Sequence, residues 1–221
     1  MNDNYDLSYD QSPHYFGEEA EPFLIDNWKF LDRAYPVLDI GSGQGRNAIF
    51  LAQKSFSVVA LDSSQVVSRD AGIIAEREKI DLTTVTNSFE QYDPGETKFG
   101  GILVFGLIPI LSRSGIVTIL DKIENWLIPE GIVYITAFTV LDHGYDQFLQ
   151  KGFAIETGSF LTTDGSSRTF LVENELKDLF EKRGYQILVY EEKPGPVHRH
   201  ADGPEEQHHW ASLICKKRVS L

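Results

Sequence analysis

Short, uninterrupted apolar runs alternate along this chain with longer stretches in which apolar residues recur every three or four positions. The short runs predict strands at 36–40, 57–61, 82–86, 101–105 and 132–138, and the periodic stretches predict helices at about 44–54, 65–79 and 114–127. That alternation argues for an α/β protein with a parallel sheet covered by helices on both faces. The run at 132–138 carries the signature of a strand buried on both faces, and Glu130-Gly131 before it reads as a turn. A further helix over 173–183 stops at Gly184, and strands follow at 186–191 and 208–216. The first 17 residues are polar and expected to be loosely held, whereas Glu18 to Leu31 has the pattern of an amphipathic helix capping the domain. With no repeat, low-complexity tract or linker, the expectation is a single domain over 1–221. Residues 1–31 form a lid or cap in that reading, and 140–171 an insertion on the substrate side.

The segment with most chemical content is VLDIGSGQGRN at 37–47. A strand ends in Asp39, and glycines at 41, 43 and 45 carry the chain into a helix. The next strand ends in a second acid, Asp62. Glycine turns, a helix start and an acid on the neighbouring strand together suit a nucleoside-bearing cofactor. A dinucleotide fingerprint, G-x-G-x-x-G, would put its third glycine at position 46, which is Arg46. Close approach of a pyrophosphate is therefore disfavoured, and a cofactor without phosphate fits better. A purely structural turn, with glycines supplying only unusual φ values, is the plain alternative.

Composition narrows the partners. Hydrophobic residues make up 42% of the chain and aromatics 12%, a globular balance. A formal charge of −13, from 33 acidic and 20 basic residues, repels phosphate backbones and argues against a nucleic-acid substrate. No apolar run reaches the roughly 20 residues that span a bilayer, and the first residues lack the basic and apolar regions of a signal peptide. Cys215 is the single cysteine, which excludes an internal disulfide and fits a reducing cytoplasm. A cytoplasmic enzyme acting on a small molecule is the expectation; the pattern does not address oligomeric state.

The pattern D-x-G-x-G-x-G followed by an acid after the second strand resembles that of class I S-adenosylmethionine-dependent methyltransferases. The resemblance implies a doubly wound, Rossmann-like, mostly parallel seven-stranded sheet whose last strand runs antiparallel between the fifth and sixth. It implies S-adenosyl-L-methionine as cofactor, with Gly41, Gly43 and Gly45 around the methionine moiety, Asp39 near its ammonium group and Asp62 accepting from both ribose hydroxyls. Ser42 and Ser63, beside these residues, join the expected cofactor-binding set. Asn87, Ser88 and Phe89 after the third strand fall where adenine contacts are expected, Phe105 should border the sulfonium, and Arg46 would hold the cofactor carboxylate. Tyr15 and Phe16 would fold over the cofactor.

Ligands of open α/β sheets bind outside the carboxyl ends of the parallel strands. The connection from Lys193 to His209 should therefore overhang the transferable methyl group. It holds four of the six histidines together with Arg199. Four histidines there, His198, His200, His208 and His209, could gather around a metal, but no cysteine or closely spaced acid completes a familiar set, and no metal is expected. A pocket in which Arg199 and a histidine bind an anionic acceptor is the favoured reading. A narrower resemblance supports it. Y-F-G-E at 15–18, G-R-N after the glycines and H-R before H-H-W-A-S-L-I-C-K-K resemble the bacterial tellurite-resistance methyltransferases, in a group with thiol and thiopurine methyltransferases. By that resemblance His198 and Arg199 match the group's acceptor-site pair; independently of it, a hydroxyl or amine acceptor would need a base, and His198 or His209 could serve. Ser42 stands where a cysteine is common and His208-His209 departs from the group's pattern, so the acceptor stays open. Asp142, His143, Asp164 and Arg168 in the insertion are expected to wall the pocket. A non-catalytic S-adenosylmethionine-binding module and an NAD-dependent oxidoreductase are the competing readings.

Overall fold

The computed structural model describes residues 19–151, 153–163, 165–199 and 205–219, with backbone alone at 198, 199 and 206. Seven strands form the main sheet: β1 (Val37–Ile40), β2 (Val58–Asp62), β3 (Leu82–Thr86), β4 (Phe99–Val104), β5 (Leu127–Phe138), β9 (Gln186–Pro194) and β12 (His209–Lys216). Their order is β3-β2-β1-β4-β5-β12-β9. The first five are mutually parallel, and β12 lies antiparallel between β5 and β9, as expected from the sequence.

Helices α1 (Pro22–Asn27) and α2 (Arg46–Gln53) bury Leu24, Ala48 and Leu51 on one face with Val37, Val58 and Tyr134. Helix α3 (Gln65–Glu78) runs between β2 and β3. The opposite face receives α4 (Arg113–Trp126) through Ile116, Ile119, Leu120 and Ile123, and α6 (Glu175–Glu181) through Leu176 and Phe180. Central strands β1 and β4 are buried at every position because helices cover both sides.

Three departures from the sequence reading have local causes. The helix expected over 18–31 is a short α-helix from Pro22, where proline suits the first turn, followed by a 3-10 turn at Trp28–Phe30. The buried Tyr134 hydroxyl donates to the Asn27 carbonyl at 2.7 Å and holds that end. The turn expected at Glu130-Gly131 is instead a bulge inside β5. Phe99 pairs with Leu127 while Gly101 already pairs with Ile132, and Glu130 takes φ 64°. The region 140–171 has elements of its own, α5 (His143–Lys151) and a three-stranded antiparallel sheet of β6 (Phe153–Glu156), β7 (Ser159–Leu161) and β8 (Ser167–Thr169). Phe160 and Phe170 pack it against Phe138 at the end of β5. Arg113 ties it to α4 by donating to the carbonyls of Thr157 and Phe170 at 2.8 and 3.2 Å.

Candidate functional site

Five parallel strands bring their carboxyl ends to one edge, and the segments that follow β1, β2, β3 and β4 there carry the expected cofactor residues that lie among the described ones. After β1, Gly41, Gly43 and Gly45 all have positive φ (70°, 52° and 82°), which glycine adopts without the steric cost of a Cβ. The amides of Gly41 and Ser42 donate to the Leu61 carbonyl at 2.8 and 3.1 Å, so the turn hangs from the end of β2. Gly45 caps α2, and a Cβ there would lie 3.0 Å from that of Ala71, so glycine also sets how closely α2 meets α3.

The Asp62 carboxylate is clamped by two amides, accepting from Gly43 at 2.8 Å and from Ser64 at 2.9 Å. Glycine turn and acid thus form one hydrogen-bonded unit. Ser64 caps α3, its Oγ accepting from the Val67 amide at 3.4 Å, while Ser63 is exposed at the bend. After β3 the Asn87 amide donates to the Asp62 carbonyl at 2.9 Å, and Asn87 Oδ1 accepts from the Ser88 amide at 2.9 Å. Phe89 lies buried with Ile40 and Leu61, and Phe105 is buried on the other face with Leu103 and Tyr134. Gly106, at φ 71°, donates to Thr136 Oγ1 at 3.1 Å and turns the chain away beyond β4.

Asp39 is 1% exposed, and among the described residues its Oδ2 has no hydrogen-bond partner. Burial and then the charge of Asp62 push its carboxyl up from 3.8 to about 7, while Arg46 and the Ala48 amide pull the other way. An orphaned, buried acceptor beside a glycine turn is costly unless a ligand completes it. A cationic ammonium group would do so, and this is the feature of the chain that best fits the methionine end of S-adenosylmethionine. The guanidinium of Arg46 is paired with Glu21 and donates to the Glu19 carbonyl at 3.2 Å, which clamps the segment before α1 over the start of α2.

Stability should record the strained acid. The folded chain keeps a proton on Asp39 that the unfolded chain loses near pH 4, so this group's contribution to stability falls as pH rises from about 4 to about 7 and is flat above. Asp39→Asn should therefore raise the ligand-free protein's stability at pH 8 by about 1–3 kcal/mol and by less at pH 5. Cofactor binding should be lost meanwhile. Melting curves at the two pH values check this; an equal shift at both would mean that Asp39 is not the titrating group.

The acceptor-side residues separate into two sets. Tyr15, Phe16, Asp164 and His200 lie outside the described residues. His198 and Arg199 form the backbone strand β10 (His198–Arg199), paired with β11 (Glu205–Glu206) in a hairpin just before β12. His209 opens β12, where its Nδ1 lies 2.7 Å from Thr139 Oγ1 beyond the end of β5. Sequence reasoning gave less weight to its neighbour. His208 stacks on Phe138 with ring centroids 4.3 Å apart, and its Nδ1 lies 2.9 Å from Asp142 Oδ2. Asp142 is buried, and its hydrogen bonds with His208 and with the amides of Gly144 and His209 hold its carboxyl below the ordinary carboxylate range despite burial. Arg168 stands with its guanidinium 6.0 Å from the Phe138 ring, so a cation is also present here. No helix among the described residues is long and apolar enough to cross a membrane.

Fold and site together define an α/β domain in which a glycine turn and two acids meet at the carboxyl edge of the sheet. Residues 37–131 match the family model for a methyltransferase domain, and the seven-stranded sheet has the fold of S-adenosylmethionine-dependent methyltransferases of known structure. Among curated proteins it is similar to O-methyltransferase 3 of Dictyostelium discoideum, at 24% identity over 161 residues, which cover 69% of this chain and 37% of that protein. Among solved structures it is similar to TehB from Haemophilus influenzae, with a TM-score of 0.69 and 20% identity over 90% of this chain and 63% of that one. A second is the 1,6-didemethyltoxoflavin-N1-methyltransferase of Burkholderia thailandensis, solved with 1,6-didemethyltoxoflavin and S-adenosylhomocysteine. It has a TM-score of 0.72 and 19% identity, over 97% of this chain and 86% of that one. The chain thus spans little more than a third of its curated relative and under two thirds of TehB.

Proposed function

We propose that this protein transfers a methyl group from S-adenosylmethionine to a small, soft or anionic nucleophile such as tellurite, selenite or a thiolate. The observation that carries the methyl-donor half is the amide-clamped Asp62 carboxylate set against the glycine turn, with the orphaned oxygen of Asp39 beside it. Asp62 would accept from the ribose hydroxyls and Asp39 would face the ammonium group. Once bound, the cofactor supplies a methyl carbon already activated by its sulfonium, so the chain's part is to align two reactants and exclude water.

Arg199 and His198, in β10, are the acceptor-binding pair in this reading, with Arg168, near the Phe138 ring, as a further cation. A soft nucleophile needs no base. A hydroxyl acceptor would, and His209, its ring fixed by Thr139, is the group for that role. Calorimetric titration with S-adenosylmethionine and with NAD separates the donor hypotheses, and a preference for NAD would end this one. Formation of S-adenosylhomocysteine with tellurite, selenite or small thiols then separates an enzyme from a binding module. Arg199→Ala and His198→Ala should leave donor affinity nearly unchanged while lowering transfer to an anionic acceptor about 10- to 1000-fold. Parallel loss of donor binding would assign this hairpin to the cofactor instead.

A further inference from the structure

Beyond β5, three side chains from two distant parts of the chain meet at one point. Asp142 and His143 belong to the turn that opens α5, whereas His208 precedes β12. One ligand atom from each, a carboxylate oxygen and two ring nitrogens, lie within 4.8 Å of one another. His208 Nδ1 stands 2.9 Å from Asp142 Oδ2, and His143 Nδ1 stands 3.6 Å from Asp142 Oδ1. Tetrahedral ligands at bonds of roughly 2.1 Å lie roughly 3.4 Å apart, and these two separations, each to a different carboxylate oxygen, fall on either side of that value.

The carboxylate is also built as a ligand is usually supported. Its side chain is 1% exposed, and the amides of Gly144 and His209 donate to its two oxygens at 2.8 and 2.9 Å, fixing its plane. The imidazoles lie outside it, with ring centroids 5.6 Å apart and planes inclined by 31°. The His208 ring is held by its stack on Phe138. In the chain alone the Nδ1 atom of His208 is satisfied by Asp142 and that of His143 by the Gln207 carbonyl at 3.0 Å; a metal would exchange those hydrogen bonds for coordination. Two neutral imidazoles and one carboxylate suit zinc or iron(II) far better than calcium or magnesium, which prefer all-oxygen shells.

We propose that Asp142, His143 and His208 bind one divalent transition-metal ion of the zinc or iron(II) class. Its remaining coordination positions are open to water or to an oxygen- or sulfur-bearing ligand. This set differs from the four loop histidines that the sequence brought to mind, because its acid lies 66 residues from His208 in the chain. Metal binding does not depend on the methyl-transfer reading and is measured without turnover.

The test uses tag-free full-length protein titrated with zinc ions, with cobalt(II) absorption reporting geometry. The expected result is one ion per chain, weakened at least tenfold by His208→Gln and by His143→Ala. Because His143 is half exposed, its loss should leave the melting temperature unchanged and keep the test valid if His208→Gln disturbs packing. A double variant, His198→Ala with His200→Ala, should bind as the parent does. Failure to retain any ion overturns the proposal, as does an ion held equally by His143→Ala and His208→Gln or released by the double variant.

Discussion

Asp62→Ala should weaken S-adenosylmethionine binding by about 2–4 kcal/mol, a loss of about 30- to 1000-fold, while the chain still folds. Two consequences add in that estimate. The ribose hydroxyls lose a charged acceptor. The Gly43 and Ser64 amides, which now donate to the carboxylate at 2.8 and 2.9 Å, lose the group that fixes the turn before any ligand arrives. Asp62→Asn separates them, because an amide oxygen can still accept from one of these donors while the charge is gone. It should therefore fall between the parent and Asp62→Ala. Dissociation constants for the three proteins test the assignment, and an unchanged constant for Asp62→Ala would remove the donor site from this edge of the sheet.

The second large effect is expected at Gly43. At φ 52° a valine would sit in left-handed backbone that a β-branched residue strongly resists, at a cost of about 1–3 kcal/mol. Its side chain would also project from the turn in which the methionine moiety is to lie. Gly43→Val should therefore melt only several degrees lower than the parent and lose donor affinity by more than 100-fold, well beyond what the lost stability explains. Gross unfolding without a separate binding defect would instead give the glycines a purely structural role. Gly45 makes a poorer probe, since its substitution also drives a side chain into Ala71 on α3.

The sequence by itself determined what local chemistry and short-range pairing determine. Period and composition located all seven strands of the main sheet and the helices that cover it, the central strands most plainly because strands buried on both faces must be apolar throughout. The glycine turn and Asp62 were legible because β1 and β2 are sequential parallel neighbours, which puts residues 41–45 and 62 at one edge whatever the rest of the chain does. The small sheet β6–β8 gave no such signal. Its strands are three or four residues long and β6 is exposed at every position, so no alternation marks them. Tertiary structure alone decided that Arg46 turns to Glu21, that Asp39 keeps an oxygen without a partner among the described residues, and that Asp142 meets His208. The last contact exists because β12 inserts antiparallel beside β5, bringing the start of one strand against the end of the other. A pairing between residues 142 and 208 follows from strand order, and no spacing within either segment encodes it.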